Sequence, residues 1–514
     1  MKNKILFCTI LLSSIANLYS QNGPLDLTFS TDGKVTTKLD SSNCGAGALA
    51  IQADGKIVIA GNASWSNGWV RASVLLRYNS DGSVDSSFGI NGKVITYGNI
   101  TYAGVAIQTD GKIVAVGGNE IGQVPGFLVA RYNLNGSLDS SFGSNGITTT
   151  IIDTIRSGAH SVVIRTDGKI IVGGYNYINQ ATRYALACYN TNGVIDSTFA
   201  TNGIFREWHG NRDGFVELVL KPNGQVIGVG SMYDSNSDYY LEIIQLNLDG
   251  SLDFSFGTSG MVRYQLAAGG HAYTVALQQN GKIILGGYVG IGSNPEFGFL
   301  LARFNSDGSS IDNTFGNNGI VKIGFGTTNA MANSVVVQSD DKIVAVGSAN
   351  GAFGIARCNV NGALDNTFDT DGKYTTDFFG EGAEANAVVM QQDGRIVVAG
   401  STTQAGKRQF AVARYLSGLN LGIINFSVEN NSLLIYPNPL MQNAILEYTL
   451  NKEETLSISL FDMQGKLIKA FATNEKQEAG EHKQQLVMPV NLTSGSYLIT
   501  LSTINGQVSV KVVK

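Results

Sequence analysis

Charge, proline and cysteine are all scarce in this sequence. Charged residues make up 15% of the chain, against about 25% in an average soluble domain. The net charge is only −5, which leaves no basic footprint for nucleic acid. Disorder is excluded as well, because it needs low hydrophobicity and high net charge, whereas 43% of this chain is hydrophobic. Prolines number only seven, so strands can run uninterrupted. Of the four cysteines, Cys8 falls in an N-terminal targeting segment, leaving Cys44, Cys188 and Cys358. An odd count at irregular spacing is not a disulfide framework, and no CxxC or Cys/His spacing suits zinc. No later apolar run reaches the ~18 residues of a transmembrane helix. Catalytic signatures are missing too: HExxH, GxSxG, GxxxxGK(S/T) and GxGxxG do not occur. The four histidines are dispersed. Carboxylate pairs can always be picked from 40 acids, so they mean nothing without geometry. No enzyme class, cofactor or metal site is indicated.

Glycine is what abounds, at 63 residues, with 20 Tyr and 23 Phe. Glycine turns between short aromatic and β-branched runs read as many short strands. The N-terminus reads as a secretory signal over residues 1–20. Lys2 and Lys4 precede a mostly apolar stretch at 5–18 that is short for a membrane span, and Ser20 is small enough for cleavage. Cys8 follows Phe7, where a lipid-anchored precursor would want a small residue.

A pentamer Leu-Asp-x-Ser/Thr-Phe, with Val or Ile sometimes first, recurs seven times. Its last residue is Phe29, Phe88, Phe142, Phe199, Phe256, Phe315 and Phe368, at spacings of 53 to 59 residues. Between copies lie two apolar runs around a hairpin signal such as Asp54-Gly55. A further apolar run ends at Arg77, Arg131, Cys188, Gln245, Arg303, Arg357 and Arg414. Each unit thus offers four strands: a after the pentamer, b and c around the hairpin, d ending at the Arg position. Four short strands every ~50 residues predict a β-propeller blade, and seven copies predict seven blades. Solenoid repeats are usually shorter, roughly 20–45 residues. The array starts on an a strand at 33–37 and stops on a d strand at 411–415. The first strand should therefore pair with the last and close the ring, removing open edges.

The seven copies test each position internally. In turns such as Asn79-Ser80-Asp81-Gly82, the third residue alternates between Asp and Asn. These share turn geometry but not charge, which favours a turn over a calcium ligand. The pentamer Asp (Asp26, Asp85, Asp139, Asp196, Asp253, Asp312, Asp365) never becomes Asn, even where Arg gives way to Cys188 or Gln245. It is expected to cap the Ser/Thr-Phe turn through backbone N–H bonds, with no obligatory ion pair and no catalytic role. Leu138-Asp139-Ser140-Ser141-Phe142-Gly143, with Gln108-Thr109-Asp110-Gly111-Lys112-Ile113-Val114 and Ala130-Arg131-Tyr132-Asn133, resembles the delta-sixty repeat family. The resemblance covers about residues 22–418, implies a propeller and adds little biochemistry.

Composition shifts after the array. No Arg follows Arg414, seven Glu fall in 419–514, and only five glycines do. Residues 419–430 read as a linker. Beyond it, Leu456, Ile458 and Leu460 alternate with Thr455, Ser457 and Ser459, a half-buried strand. A turn at Asp462-Met463-Gln464-Gly465 and strands at 497–501 and 508–512 complete the outline of a small β-sandwich. Tyr436-Pro437-Asn438-Pro439, Asp462 with Gly465, Gly495-Ser496-Tyr497 and the Lys511-Val512-Val513-Lys514 end resemble the C-terminal sorting domain of the type IX secretion system of Bacteroidetes-type bacteria. The resemblance implies the type IX machinery as partner, passage across the outer membrane and removal of residues 431–514. It frequently also implies attachment to surface lipopolysaccharide.

In an up-and-down blade the b–c and d–a connections share one face, and the a–b and c–d connections share the other. The first pair repeats closely and the second varies, as expected where loops carry function. Trp65, Trp69, Trp208, His209, Tyr175, Tyr177, Tyr233 and Tyr239 fall in or beside the variable segments. Exposed aromatics suit sugar stacking or protein anchoring, and local loop packing accounts for them as well. The expectation is an exported all-β protein, a seven-bladed β-propeller followed by a small β-sandwich, that binds an extracellular glycan or protein or serves as a structural coat. The competing reading is an extracellular enzyme with Trp208, His209, Arg212 and Asp213 around its reactive centre.

Overall fold

The computed structural model describes residues 24–418 and 434–514, apart from 41, 66–69, 99, 120–124, 154–155, 179–180, 208–214, 234–237, 292–295, 327–328, 438, 451–452, 463–466, 491, 493–494 and 504–505. The expected signal segment and linker lie outside the described residues. Every described element is a strand. Seven four-stranded antiparallel sheets follow the order b, c, d and then the next unit's a, as in Asn43–Ile51, Ile57–Trp65, Val70–Tyr78 and Lys93–Tyr97. The b strands contact one another in sequence around the ring, and the seventh, Ala383–Met390, returns to the first. Strands c and d are sandwiched between neighbouring blades. They are therefore continuous apolar runs, as in Gly126–Tyr132, where all seven residues are buried.

The ring closes as the order of strand signals predicts. Lys34–Thr37 pairs antiparallel with Lys407–Tyr415, setting Lys34 opposite Ala413 and Thr37 opposite Phe410. The Asp26 amide donates to the Arg414 carbonyl at 2.8 Å. Phe29, Val74, Phe410 and Val412 share one buried cluster across this seam.

The pentamer is a staple between blades. One carboxylate oxygen of each pentamer Asp accepts the amide two residues on, at 3.0–3.1 Å, which is the predicted cap. The other oxygen takes the Arg of strand d where there is one: Asp85 with Arg77 at 2.7 Å, Asp312 with Arg303 at 2.7 Å, Asp26 with Arg414 at 2.8 Å. Each of these guanidinium groups lies over the pentamer Phe, Arg77 standing 4.5 Å from the Phe88 ring centre. It also donates onward to a turn carbonyl of the next unit, Arg77 to Leu134 and Arg131 to Thr191. The Arg is not obligatory, because its absence is compensated. In the third unit Asp196 keeps the lysine that Asp85, Asp139, Asp312 and Asp365 also have, Lys169 at 2.6 Å, and Arg165 takes over the onward bond, reaching the Leu248 carbonyl at 2.8 Å. In the fourth, Gln245 holds Asp253 at 2.6 Å and Lys221 reaches the Ser306 carbonyl at 3.4 Å. Burial opposes the charge on Asp85, Asp139 and Asp312, but the Ser/Thr hydrogen bonds and the cations outweigh it and hold these carboxyls well below their usual range.

Six b strands carry a bulge, with register shifts such as Ala159/Ser161 and Ala272/Thr274. Beside it the b backbone approaches strand c closely. A Cβ on Gly117 would stand 1.6 Å from the Thr101 carbonyl oxygen, and one on Gly287 1.8 Å from that of His271. Only glycine fits there. The bulge leaves one residue unpaired and re-aims its side chain.

The C-terminal domain packs a three-stranded sheet (Leu434–Tyr436, Asn443–Leu450, Gly480–Val487) on a four-stranded one (Leu467–Gln477, Glu454–Asp462, Ser496–Thr503, Gly506–Val513). Leu446, Ile458, Leu460, Leu486 and Ile499 are buried between them.

Candidate functional site

The bulges aim their unpaired residues at the centre of the ring. Gly47, Ala103, His160, Tyr273, Asn333 and Asn386, with Val216 at the matching place in the fourth blade, all border one central cavity of about 510 Å³. Seven equivalent positions would be alike if they only maintained the fold, and these are not. On one side Asn333 and Asn386 spend their amides on the next blade, donating to the Ala385 carbonyl at 2.9 Å and the Ala46 carbonyl at 2.8 Å. Gly47 and Ala103 leave space. The third to fifth blades instead contribute His160, Glu217 and Tyr273.

Glu217 follows the bulge position, where the other blades have Ala48, Gly104, Ser161, Thr274, Ser334 and Ala387. Ser161, Thr274 and Ser334 accept the amides of Leu218, Val335 and Val388 from the next blade at 3.0, 3.0 and 3.3 Å. Glu217 makes the same link to the Val275 amide at 2.7 Å. A hydroxyl suffices for this bond in three blades, so the carboxyl brings more than the link requires. Desolvation dominates at Glu217. It outweighs the Thr274 hydroxyl and the Val275 amide and pushes the carboxyl up to about 7. The surrounding walls also lower the pKa of His160, although solvent reaches its ring, and the Phe215 carbonyl 3.3 Å from Nδ1 only partly offsets this. Glu217 is therefore close to its charge transition near neutral pH, and the walls around His160 favour its neutral form.

Aromatic rings continue from Tyr273 towards the face of the variable loops. His271 and Tyr273 lie parallel, 6.3 Å apart with 7° between planes. Tyr288 is 5.7 Å from Tyr273, and Tyr239 is 5.4 Å from His271. Phe297 packs edge-on against Tyr288 at 5.0 Å. None of these five is buried. On the other flank, Tyr175 lies 5.3 Å from His160.

Of the residues singled out from sequence, Trp65 is half-buried against the core of the first blade, its ring 5.8 Å from that of Tyr97. Trp69, Trp208, His209, Arg212 and Asp213 lie outside the described residues. Tyr233 ends a c strand, Val226–Tyr233. Tyr177 is exposed at the end of its strand, and Tyr239 joins the aromatic group above. The sequence reading missed His160, Glu217, Tyr273, His271 and Tyr288. The signal for the first three was available as residues that break an otherwise small or amide-bearing column of the repeat. In the C-terminal domain the sorting residues partly converge. The Lys514 amide donates to the Gly495 carbonyl at 2.9 Å, and its Nζ reaches the Leu440 carbonyl beside Pro439 at 3.3 Å. Tyr497 is buried in the sandwich core, and Tyr436 is exposed with its hydroxyl on Glu447. Lys511 pairs with Leu498 through its backbone. Asn438 lies outside the described residues.

Seven segments, 52–88, 108–142, 165–199, 221–256, 278–315, 338–368 and 391–421, match the β-propeller family described as a domain of unknown function, DUF5122. The chain belongs to this DUF5122 propeller family. Residues 434–514 match the secretion system C-terminal sorting domain, so this family member is exported to the cell surface or released through type IX secretion. No helix among the described residues is long and apolar enough to cross a membrane. Similar solved structures include the polysaccharide lyase Uly1 (9% identity, 78% of this chain and all of that one, TM-score 0.48). Virginiamycin B lyase from Staphylococcus aureus is another (10% identity, 74% and 98%, TM-score 0.39). A third is the propeller of the Trilobed protease from Pyrococcus furiosus (11% identity, 76% and 99%, TM-score 0.40). Comparison with curated proteins finds no match.

Proposed function

We propose that this exported DUF5122 propeller is a binding module for an extracellular glycan, with its ligand site at the mouth of the central cavity over the third to fifth blades. The observation that carries the reading is the asymmetry of the channel. Seven repeat-equivalent positions differ, and the sector with His160, Glu217 and Tyr273 adjoins the half-exposed rings of His271, Tyr288 and Tyr239. Flat rings offer stacking area for sugar faces, and a few placed polar groups give orientation. Binding is favoured over turnover by the chemistry of the lining. Glycoside hydrolysis ordinarily needs two carboxyl groups flanking the bond. Among the described residues bordering the cavity Glu217 is the one acid, and none is Lys or Arg that could neutralise an acidic sugar.

The test is a glycan-array screen of the exported protein, followed by calorimetry on the best oligosaccharide. Tyr273→Ala and Glu217→Gln should each weaken binding at least tenfold, while Trp65→Ala leaves it within about twofold. Retained affinity in both channel variants would sink the proposal. Shortening of the oligosaccharide on incubation, seen by chromatography, would replace it with the enzyme reading.

A further inference from the structure

We propose that the outer face of the three-stranded sheet in the C-terminal domain is the surface by which the type IX secretion machinery holds this chain. On Asn443–Leu450 the residues Ala444, Leu446, Tyr448 and Leu450 point into the sandwich, so Asn443, Ile445, Glu447 and Thr449 point outward. Register sets Tyr436 opposite Ile445, Leu434 opposite Glu447, and Val487 opposite Asn443. Directly opposed residues share a face. Leu434, Tyr436, Ile445 and Val487 are therefore neighbours on one surface, with 51%, 41%, 37% and 48% of their area exposed. Beside them Lys483 meets Glu447 at 2.6 Å, and Glu447 also accepts the Tyr436 hydroxyl. The rest of the face is polar, with Gln485 opposite Ile445 and Glu481 opposite Thr449, so the four apolar side chains form an exposed patch on a face of one net negative charge. Met441 and Val490, 66% and 89% exposed, stand in the segments that enter and leave it.

The opposite outer face is built differently. Along Glu454–Asp462 its outward residues are Thr455, Ser457 and Ser459, with Ser502 beside Ser457, and apolar side chains gather only at the end near Phe461 and Leu467. A domain of this size gains nothing from keeping an apolar patch in water, and such patches mark interaction sites. The occupant follows from the domain's own kind. A secretion sorting domain is read by a protein of the export apparatus, and the exposed apolar patch calls for an apolar, protein-made counterpart there.

The test is secretion of the full chain by a bacterium with type IX export, comparing Ile445→Lys/Val487→Lys with Ser457→Lys/Ser459→Lys on the polar face. The first pair should cut mature protein outside the cell at least tenfold and leave full-length chain inside. The second pair should secrete as wild type. Limited proteolysis of the purified full chains checks that each tail is folded, and the single variant Leu434→Lys stands in should the first pair unfold. Wild-type secretion of Ile445→Lys/Val487→Lys overturns the proposal, as does an equal block by both pairs.

Discussion

The compensated staple of the third unit makes a quantitative prediction. Five units put Gln at the start of the b–c hairpin and Arg at the end of strand d. The third has Arg165 and Cys188 instead, and the fourth has Lys221 and Gln245. The cation has moved across the blade while its acceptor, a turn carbonyl of the next blade, has stayed. Arg165→Gln removes the 2.8 Å bond to Leu248 and leaves the 2.9 Å pair with Asp167 unmade. A hydrogen bond to a charged donor contributes about 1.5–3 kcal/mol, and the half-exposed Asp167 pair adds only a few tenths. Cys188→Arg alone sets a second guanidinium at a carbonyl that Arg165 already occupies, at a cost of about 1–2 kcal/mol. Combining the two rebuilds the arrangement of Gln108 and Arg131, where Asp139 already receives both Arg131 and Lys112. The double variant should therefore be close to wild type, with a coupling energy of about 2 kcal/mol or more. Unfolding entropy of about 2.1 cal/mol/K per residue gives roughly 0.8 kcal/mol/K for a propeller of this size. Each single substitution should then lower Tm by about 1–4 °C in calorimetry, and the pair should recover it. A double variant whose loss equals the sum of the singles would refute the reasoning.

Other consequences are simpler to state. Deleting residues 22–38 strips the strand paired to Lys407–Tyr415 and removes Phe29 from the buried seam cluster, so it should lower Tm by more than any substitution above; unchanged melting would mean the seam contributes nothing. Gly117→Ala must move a backbone carbonyl 1.6 Å from its new Cβ and should cost about 3 kcal/mol or more, read by urea unfolding. Glu217 holds its proton up to about 7 when folded against an ordinary value of 4.5. The folded state binds the extra proton, so stability should fall as pH rises from about 4.5 to 7, by on the order of 1–3 kcal/mol; Glu217→Gln should flatten that slope. Asp365 works in the opposite sense. Burial opposes its charge, but Thr367, Lys342 and Arg357 hold it at about 2, so its contribution is complete above about 4 and is lost as pH falls towards 2; Asp365→Asn should abolish that part of the acid dependence.

Fold and closure were legible because a propeller repeats its instructions seven times. Strand count, order and the pairing of the first strand with the last follow from the positions of Phe29 to Phe368, the hairpin turns and the d-strand ends. The cap by the pentamer Asp was legible from its invariance against Asn. The staple was only half legible. Losing Arg at Cys188 and Gln245 suggested that the ion pair is dispensable, whereas the geometry has Arg165 and Lys221 taking over its onward bond to the next blade. The matching change from Gln to Arg165 and Lys221 stood in the same seven-fold comparison. The channel was least legible. His160, Glu217 and Tyr273 are about 57 residues apart; bulges re-aim His160 and Tyr273 to the cavity, a shift that strand periodicity alone does not reveal, and Glu217 joins them from a regularly paired position of the fourth b strand.

The same repetition argues for where function must lie. On the face of the b–c turns and pentamers, each blade satisfies the next through a fixed set of donors and acceptors. A residue can change there only if another supplies the missing bond, as Arg165 does for Cys188. Such a surface has little freedom to acquire a ligand. The inner column is under a weaker rule: the link to the next blade needs one acceptor or none, since Ala48, Gly104 and Ala387 do without it. A carboxyl at Glu217 is accommodated by the fold without being demanded by it, and it sits half-buried at a position that a hydroxyl fills in three other blades. A half-buried carboxyl that the architecture tolerates without needing, on one cavity with an imidazole and exposed rings, is the reason that the proposed ligand site is set in the channel sector rather than at the loop tryptophans.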